Sequence, residues 1–431
     1  MKKLLYLRHT NQLNLIIMKA ILKFKPLFIV LAFMTIAMSS CNKANEHSWP
    51  VLDIKHALND GKDVDLSKYA SDIEYIPLET SQESLLPGSA VICYDKGRFY
   101  FWTVSIAGGK DIAVFDTCGK FINRIGKLGR GPGEYPNIYH LTMEDDKDST
   151  NICVVSLQNA VIYNTDGNVV CDIPFSSIKE STGSGFVMNG GFLSYIGNGK
   201  YCLLAASASK SNTSKQEKLF ILDSAGNILS ERAIGEEFVK ERKFKDISIQ
   251  SIFGSYIYFF DNKICQHTPL RDTLFAIDKN TGEKTIKALF TMDGNSFGTI
   301  DNTDYHIGIP LESERFILHD FGFATADFPA LYKKNKVVPE KASAWLVYDK
   351  QDKTYTALKY DPSFTLEGFK NDIDGGAPFL PSLVKDGKMY QIVNAIDFIE
   401  IAEKSTSARM KEVAAQLTEE SNPVVVEVTL K

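Results

Sequence analysis

Ile112-Ala113-Val114-Phe115-Asp116-Thr117-Cys118-Gly119-Lys120-Phe121-Ile122 runs as an apolar strand, an acidic turn and the start of a second strand. This is hairpin chemistry. Gly accepts positive φ without steric cost, and an Asp or Asn side chain bonds the backbone two residues on. The flanking β-branched and aromatic residues suit a pleated sheet. The pattern returns at Val161–Val170, where the turn is Asn164-Thr165-Asp166-Gly167, and at Leu219–Leu229, with Asp223-Ser224-Ala225-Gly226. A fourth copy, one residue longer, spans Leu274–Lys284, and a fifth, lacking Gly, spans Trp345–Tyr355.

Counted from Asp or Asn to its counterpart, the copies lie 48 to 71 residues apart. A bare four-stranded blade needs about 40–45 residues, so loops supply the excess. Five copies leave room for one more unit, built from Val51–Ile54, Ile73–Leu78 and C-terminal residues. Such closure removes the free sheet edges that invite aggregation. A β-sandwich has no need of five similar hairpins. The expected fold is therefore all-β: a six-bladed β-propeller over residues 51–431, with one C-terminal helix and a closing C-terminal strand. Ser407 caps that helix, whose stripe is Met410, Val413, Ala414 and Leu417. Asn422-Pro423 stops it, and Val424–Leu430 is the strand.

The first 40 residues contain six basic residues and no acid. Without them 42 basic residues face 53 acidic ones, near −11, which argues against nucleic acid as a partner. Residues 18–40 read as a signal peptide: Lys19, Lys23 and Lys25, then apolar Leu27–Met38, too short to span about 30 Å of hydrocarbon comfortably. Met38-Ser39-Ser40-Cys41 resembles the bacterial lipoprotein signal, with Cys41 as the lipidated residue; the alternative is an uncleaved signal anchor. Residues 1–17 read as an upstream misread start, and 41–50 as a polar tether. Glu46 is the one acid in Asn42–Ser48, so no acidic surface-export run comes after Cys41. The expected address is the cell envelope, lipid-anchored, at the outer membrane and facing the periplasm, with surface display left open. Six further cysteines show neither C-x-x-C spacing nor a His at a zinc interval, and most sit in apolar runs as buried thiols.

Five stretches carry a family resemblance: Ile73–Thr80, Ile125–Tyr135, Asp272–Phe275, Asp372–Gly376 and Asn422–Lys431. Through them the chain resembles the six-bladed β-propeller lipoproteins of Bacteroidetes, related in fold to NHL-repeat and TolB-type propellers. Ala377 stands where a Pro is usual, and Leu274-Phe275 replaces the commoner Ile-Tyr. The resemblance implies a fold and an address, and no established reaction.

The loop Gly126–Tyr135 carries four glycines, Lys127, Arg130 and Glu134. Exposed N–H groups there could cradle an anion, although both the P-loop ending and the dinucleotide spacing are absent. Arg130, Glu134 and Tyr135 are candidate ligand contacts; otherwise the loop is a crossover anchored by Glu134 and Tyr135. If the loop only shapes the backbone, a β-branched side chain at Gly131 should cost stability, because it cannot take positive φ cheaply. Asp372 and Asp374 are further candidate ligand contacts and could offer oxygens to calcium, but no full EF-type loop is present. Turn chemistry explains them, and also Glu144-Asp145-Asp146-Lys147-Asp148, so no metal or cofactor is expected.

No G-x-S-x-G elbow and no H-E-x-x-H motif occurs. Among the histidines only Tyr305-His306 and His319-Asp320 form pairs of interest. The preferred reading is a binding platform for a glycan, peptide or envelope protein at one face of the ring. The alternative is a carboxylate- or metal-dependent hydrolase or lyase at its mouth; a structural subunit of an envelope complex is a third. A mouth with aromatics and no convergent acids favours binding, whereas two acids about 5–9 Å apart favour glycoside chemistry.

Overall fold

Each of the five turn motifs joins the third and outer strands of one blade. In the computed structural model Asp116 Oδ1 accepts from the amides of Cys118 and Lys120 at 2.9 and 2.8 Å. Asn164 and Asp223 repeat this pair of bonds, whereas Asp349 accepts from the amides of Gln351 and Asp352, two and three residues on. Where the fifth copy lacks Gly, Lys353 itself takes φ 53°. The structure describes residues 48–431 except 88–89, 104–110, 147–148, 157, 183–192, 207–213, 245–246, 280, 297–304, 325–332 and 335–340. Cys41 lies outside the described residues.

The strands form six antiparallel blades around a central axis. Blade I is Val91–Asp95, Arg98–Trp102, Ile112–Asp116 and Phe121–Ile125; blade II runs from His140 to Pro174 in the same order. Blade III adds a fifth strand, Ile247–Phe253, outside Ile228–Phe244. Blade IV comprises Tyr256–Phe260, Lys263–His267, Thr273–Asp278 and Lys284–Thr291. In blade V the inner strand is split into His306–Ile307 and Leu311–Glu312, both paired with Phe316–Ala324; Lys341–Asp349 follows, with Thr354–Ala357 and the short Lys333–Lys334 both paired to it. Blade VI takes Leu383–Lys385, Lys388–Val393 and Val424–Leu430 from the C-terminal part, and its outer strand, Ala70–Pro77, from the N-terminal part.

Six blades thus carry five hairpin motifs because the third and outer strands of blade VI are not joined by a turn. They pair antiparallel instead, with Tyr75 opposite Val426 and Ile76 opposite Val425. The closing blade differs from expectation in one respect. Val51–Asp53 does not join it but runs parallel to Lys284–Thr291 at the outer edge of blade IV. Parallel pairing needs no turn, so no turn signal marks it.

Two helices, not one, stand between the last strands. Ser407 caps Ala408–Ala414, its side chain accepting from the Met410 amide at 3.1 Å. Ala395–Lys404 precedes it and buries Phe398 and Ile401 against the same core as Met410. Its N-cap residue, Asn394, makes no side-chain bond to the first turn.

Turns within the strand pairs lie on what we call the lower face. The connections between blades lie on the upper face, because strand directions alternate. The turns that lead into the outer strands of blades I and III seat on the outer strand of the preceding blade. A Cβ on Gly119 would lie 2.3 Å from Pro77 O, and one on Gly226 would lie 2.4 Å from Pro174 O. Gly226 also sits at φ +83°, so Gly226→Val combines a left-handed backbone with a backbone clash. It is expected to cost roughly 2–3 kcal/mol, measured by urea denaturation. An unchanged midpoint would refute this account of the turn.

Candidate functional site

The Gly-rich loop links blade I to blade II on the upper face, and it is closed on itself. Glu134 Oε2 accepts from the Gly131 amide at 2.9 Å, and Lys127 Nζ reaches Oε1 at 2.7 Å. Lys127 foremost, then the Gly131 amide, holds the Glu134 carboxyl below the usual carboxylate range. Tyr135 is fully buried in the core between blades I and II, its amide bonded to Lys127 O. Arg130 is exposed. The glycines with left-handed backbone are Gly126 (φ +82°) and Gly133 (φ +71°). Gly131 is not among them; its tightness comes from the Glu134 carboxylate, and the expected penalty moves to the other two.

Asp372 and Asp374 also spend their oxygens within the protein. Asp372 accepts from the amide and hydroxyl of Ser67, at 2.9 and 2.5 Å. Asp374 Oδ1 takes bonds from Asn371 Nδ2 at 2.8 Å, the Gly376 amide at 3.1 Å and Tyr75 OH at 3.2 Å; Oδ2 takes the Ser407 hydroxyl at 2.5 Å. They staple the connection between blades V and VI to the N-terminal segment and to the helix cap. Turn chemistry alone therefore understates them. The structure does not bring them to Arg130, which belongs to the connection between blades I and II. Of the acidic run, Glu144 is buried, accepting from Asn151 Nδ2 at 2.9 Å and from Tyr201 of blade III. Among the described residues no group of three or more His, Cys, Asp or Glu is placed to hold a metal ion. All six described cysteines are free thiols.

A depression of about 940 Å³ opens on the upper face. Its walls are the upper ends of the inner strands of blades I, IV, V and VI, including Val91, Tyr256, Ile309 and Pro381. It extends between blades V and VI, where Asp320, Trp345, Gln391 and Ile392 line it. His306 lines it too, and Asp320 is the one acid among the described lining residues. Burial pushes the Asp320 carboxyl up, with His306 opposing the shift.

Two of the four residues in the histidine pairs thus converge, although not as neighbours in sequence. Strand alternation separates each pair. Tyr305 stacks on Phe321, and His319 is buried against Phe290 with its Nε2 at 2.8 Å from Tyr355 OH. Trp345, Tyr256 and Gln391 were not singled out by sequence. Nothing marks them until the blades are in place.

The lower face carries a second cleft, about 370 Å³, between blades IV and V. Its buried Glu312 is neutralised by Lys287 at 2.7 Å and Lys350 at 2.6 Å, and accepts from Tyr258 OH at 2.7 Å.

Two solved structures share this architecture. A Bacteroides fragilis protein described as exported is 17% identical, over 86% of this chain and 98% of its own, with a TM-score of 0.55. A member of the duf4221 family from Bacteroides vulgatus is 12% identical, over 84% of this chain and 97% of its own, with a TM-score of 0.50. At such identities the likeness shows the fold alone. No curated protein matches the chain in sequence. A family model described as "Domain of unknown function (DUF4934)" matches residues 49–429, nearly the whole ring, and the chain belongs to that family.

Proposed function

We propose that this protein is a lipid-anchored propeller of the cell envelope. It binds a glycan, peptide or protein partner in the upper depression. One observation carries the reading: aromatic Tyr256 and Trp345 line a large cavity whose described walls supply the single carboxylate of Asp320. Hydrolysis by a carboxylate pair would need a second acid at about 5–9 Å. Apolar walls with a few placed polar groups are the usual make-up of a recognition site. The kinship with NHL-repeat and TolB-type propellers is proposed as one of architecture only. A screen of glycans and peptides on the purified full-length protein tests the function. Any ligand of the depression should lose about 2 kcal/mol of affinity in Trp345→Ala, as for a central aromatic anchor. Ligands that bind the variant equally well would exclude the depression.

The address rests on the signal ending at Cys41, and the exported Bacteroides fragilis neighbour agrees with it. No described helix is long and apolar enough to cross a membrane. Cys41→Ala is expected to move the protein from the membrane to the soluble fraction with its melting temperature unchanged. A variant that stays with membranes through a high-salt wash would end the lipoprotein reading.

A further inference from the structure

Blade V contains a reciprocal motif in two paired strands. His306-Ile307-Gly308 runs antiparallel to Asp320-Phe321-Gly322, with His306 opposite Gly322. The Gly308 amide donates to Asp320 O at 3.0 Å. A Cβ on Gly308 would lie 1.6 Å from Asp320 Oδ1, and one on Gly322 would lie 1.9 Å from the His306 ring. Each polar side chain therefore lies over a glycine of the opposite strand, where no other residue would fit.

Across the next strand Asp320 stands directly opposite Trp345. Cross-strand partners project on the same face with their Cβ atoms about 4.5–5.5 Å apart. The carboxylate thus sits beside an indole at the mouth between blades V and VI.

The carboxylate of Asp320 differs from the other acids of the candidate sites. Glu134, Asp372, Asp374 and Glu312 each accept two or more hydrogen bonds or ion pairs from the protein. Among the described residues no other residue donates a hydrogen bond to the Asp320 carboxylate. A carboxylate withdrawn from bulk water gains most from a charged donor brought to it. An aromatic face beside it adds attraction for a cation and contact for its carbon skeleton.

Resting on the reading of the depression as a binding site, we propose that its ligand carries a primary ammonium group. That group pairs with Asp320, and the adjoining carbons pack on Trp345 and Tyr256. An amino sugar and a peptide N-terminus share this chemistry.

Calorimetry with four probes tests the inference: a glucosamine trimer, its N-acetylated counterpart, a tripeptide, and the same tripeptide acetylated at its N-terminus. At least one free-amine probe should bind the full-length protein, and its acetylated form should bind at least about tenfold more weakly. Asp320→Asn, an isosteric change, should lower affinity for the free-amine probe by a similar factor and leave the melting temperature unchanged. Which probe binds separates the sugar source from the peptide source. Equal binding of acetylated and free forms, or no effect of Asp320→Asn, overturns the ammonium inference. If such binding is still weakened by Trp345→Ala, the depression remains the site. If none of the four probes binds at millimolar concentration, the ammonium inference fails; a ligand from the wider screen that is lost in Trp345→Ala would keep the depression alone.

Discussion

Deletion of Pro423–Lys431 is expected to abolish the cooperative unfolding transition of the whole ring. Val424–Leu430 is an interior strand, flanked by Lys388–Val393 on one side and Ala70–Pro77 on the other. Val424, Val425 and Val428 are fully buried, and Val426 nearly so. At the lower end of about 1.5–3 kcal/mol per buried aliphatic side chain, these four approach the stability of an ordinary domain, about 5–15 kcal/mol. The deletion also strips the pairing edge from two strands at once. Thermal unfolding monitored by circular dichroism measures it. A truncated protein melting at the wild-type temperature would show that the ring does not depend on this strand.

Acid is expected to destabilise the fold well above the carboxylate range. His267 and His319 are fully buried, the first against Phe290, the second bonded to Tyr355. Burial holds His267 down to about 3 and His319 to about 4. An unfolded chain titrates the same imidazoles near 6.5. Between about pH 6.5 and 4 the unfolded state therefore binds protons that the folded state refuses, and stability falls as pH falls. Each histidine contributes up to about 1.4 kcal/mol per pH unit within that window. Urea denaturation at pH 7 and pH 5 should show the loss, and His267→Phe should flatten it. The same pH slope in wild type and variant would remove His267 from the explanation.

The ring was legible because hairpin turns are local. Asp116, Asn164, Asp223, Asp278 and Asp349 announce themselves through their own type and the turn residues within the next four positions. The helix at Ala408–Ala414 was equally local, through Ser407 and Met410. Two elements were not. Val51–Asp53 is three residues long and gains its place from Leu289 and Phe290, far along the chain. Ala395–Lys404 lacks a capping bond, and the helical spacing of Ala395, Phe398, Ile401 and Ala402 was the signal it offered.

The site was legible in fragments. His306 and Asp320 stood out, each with a neighbour that strand alternation turns away. The useful signal was the glycine two residues after each, Gly308 and Gly322. Their meaning depends on a register that cannot be seen without the paired strands. Trp345 and Tyr256 carry no signal at all, since an aromatic in a strand is ordinary core material. The Gly126–Tyr135 loop shows the opposite case. Its density of glycine and charge reflects a backbone folded around Glu134.

The seat of Gly119 on Pro77 bears on the order in which the molecule assembles. The Glu79 amide donates to Gly119 O at 2.8 Å, so blade I grips the end of Ala70–Pro77 from the side away from its eventual partner. That grip uses only residues in the first third of the chain. A polypeptide emerging N-terminus first can therefore park this strand on blade I while the remaining blades follow. One hydrogen-bonding edge stays open until residues 424–430 arrive. During that interval the nascent protein offers a strand edge to any passing chain, and chaperones that cover such edges would act on it before its last residues appear.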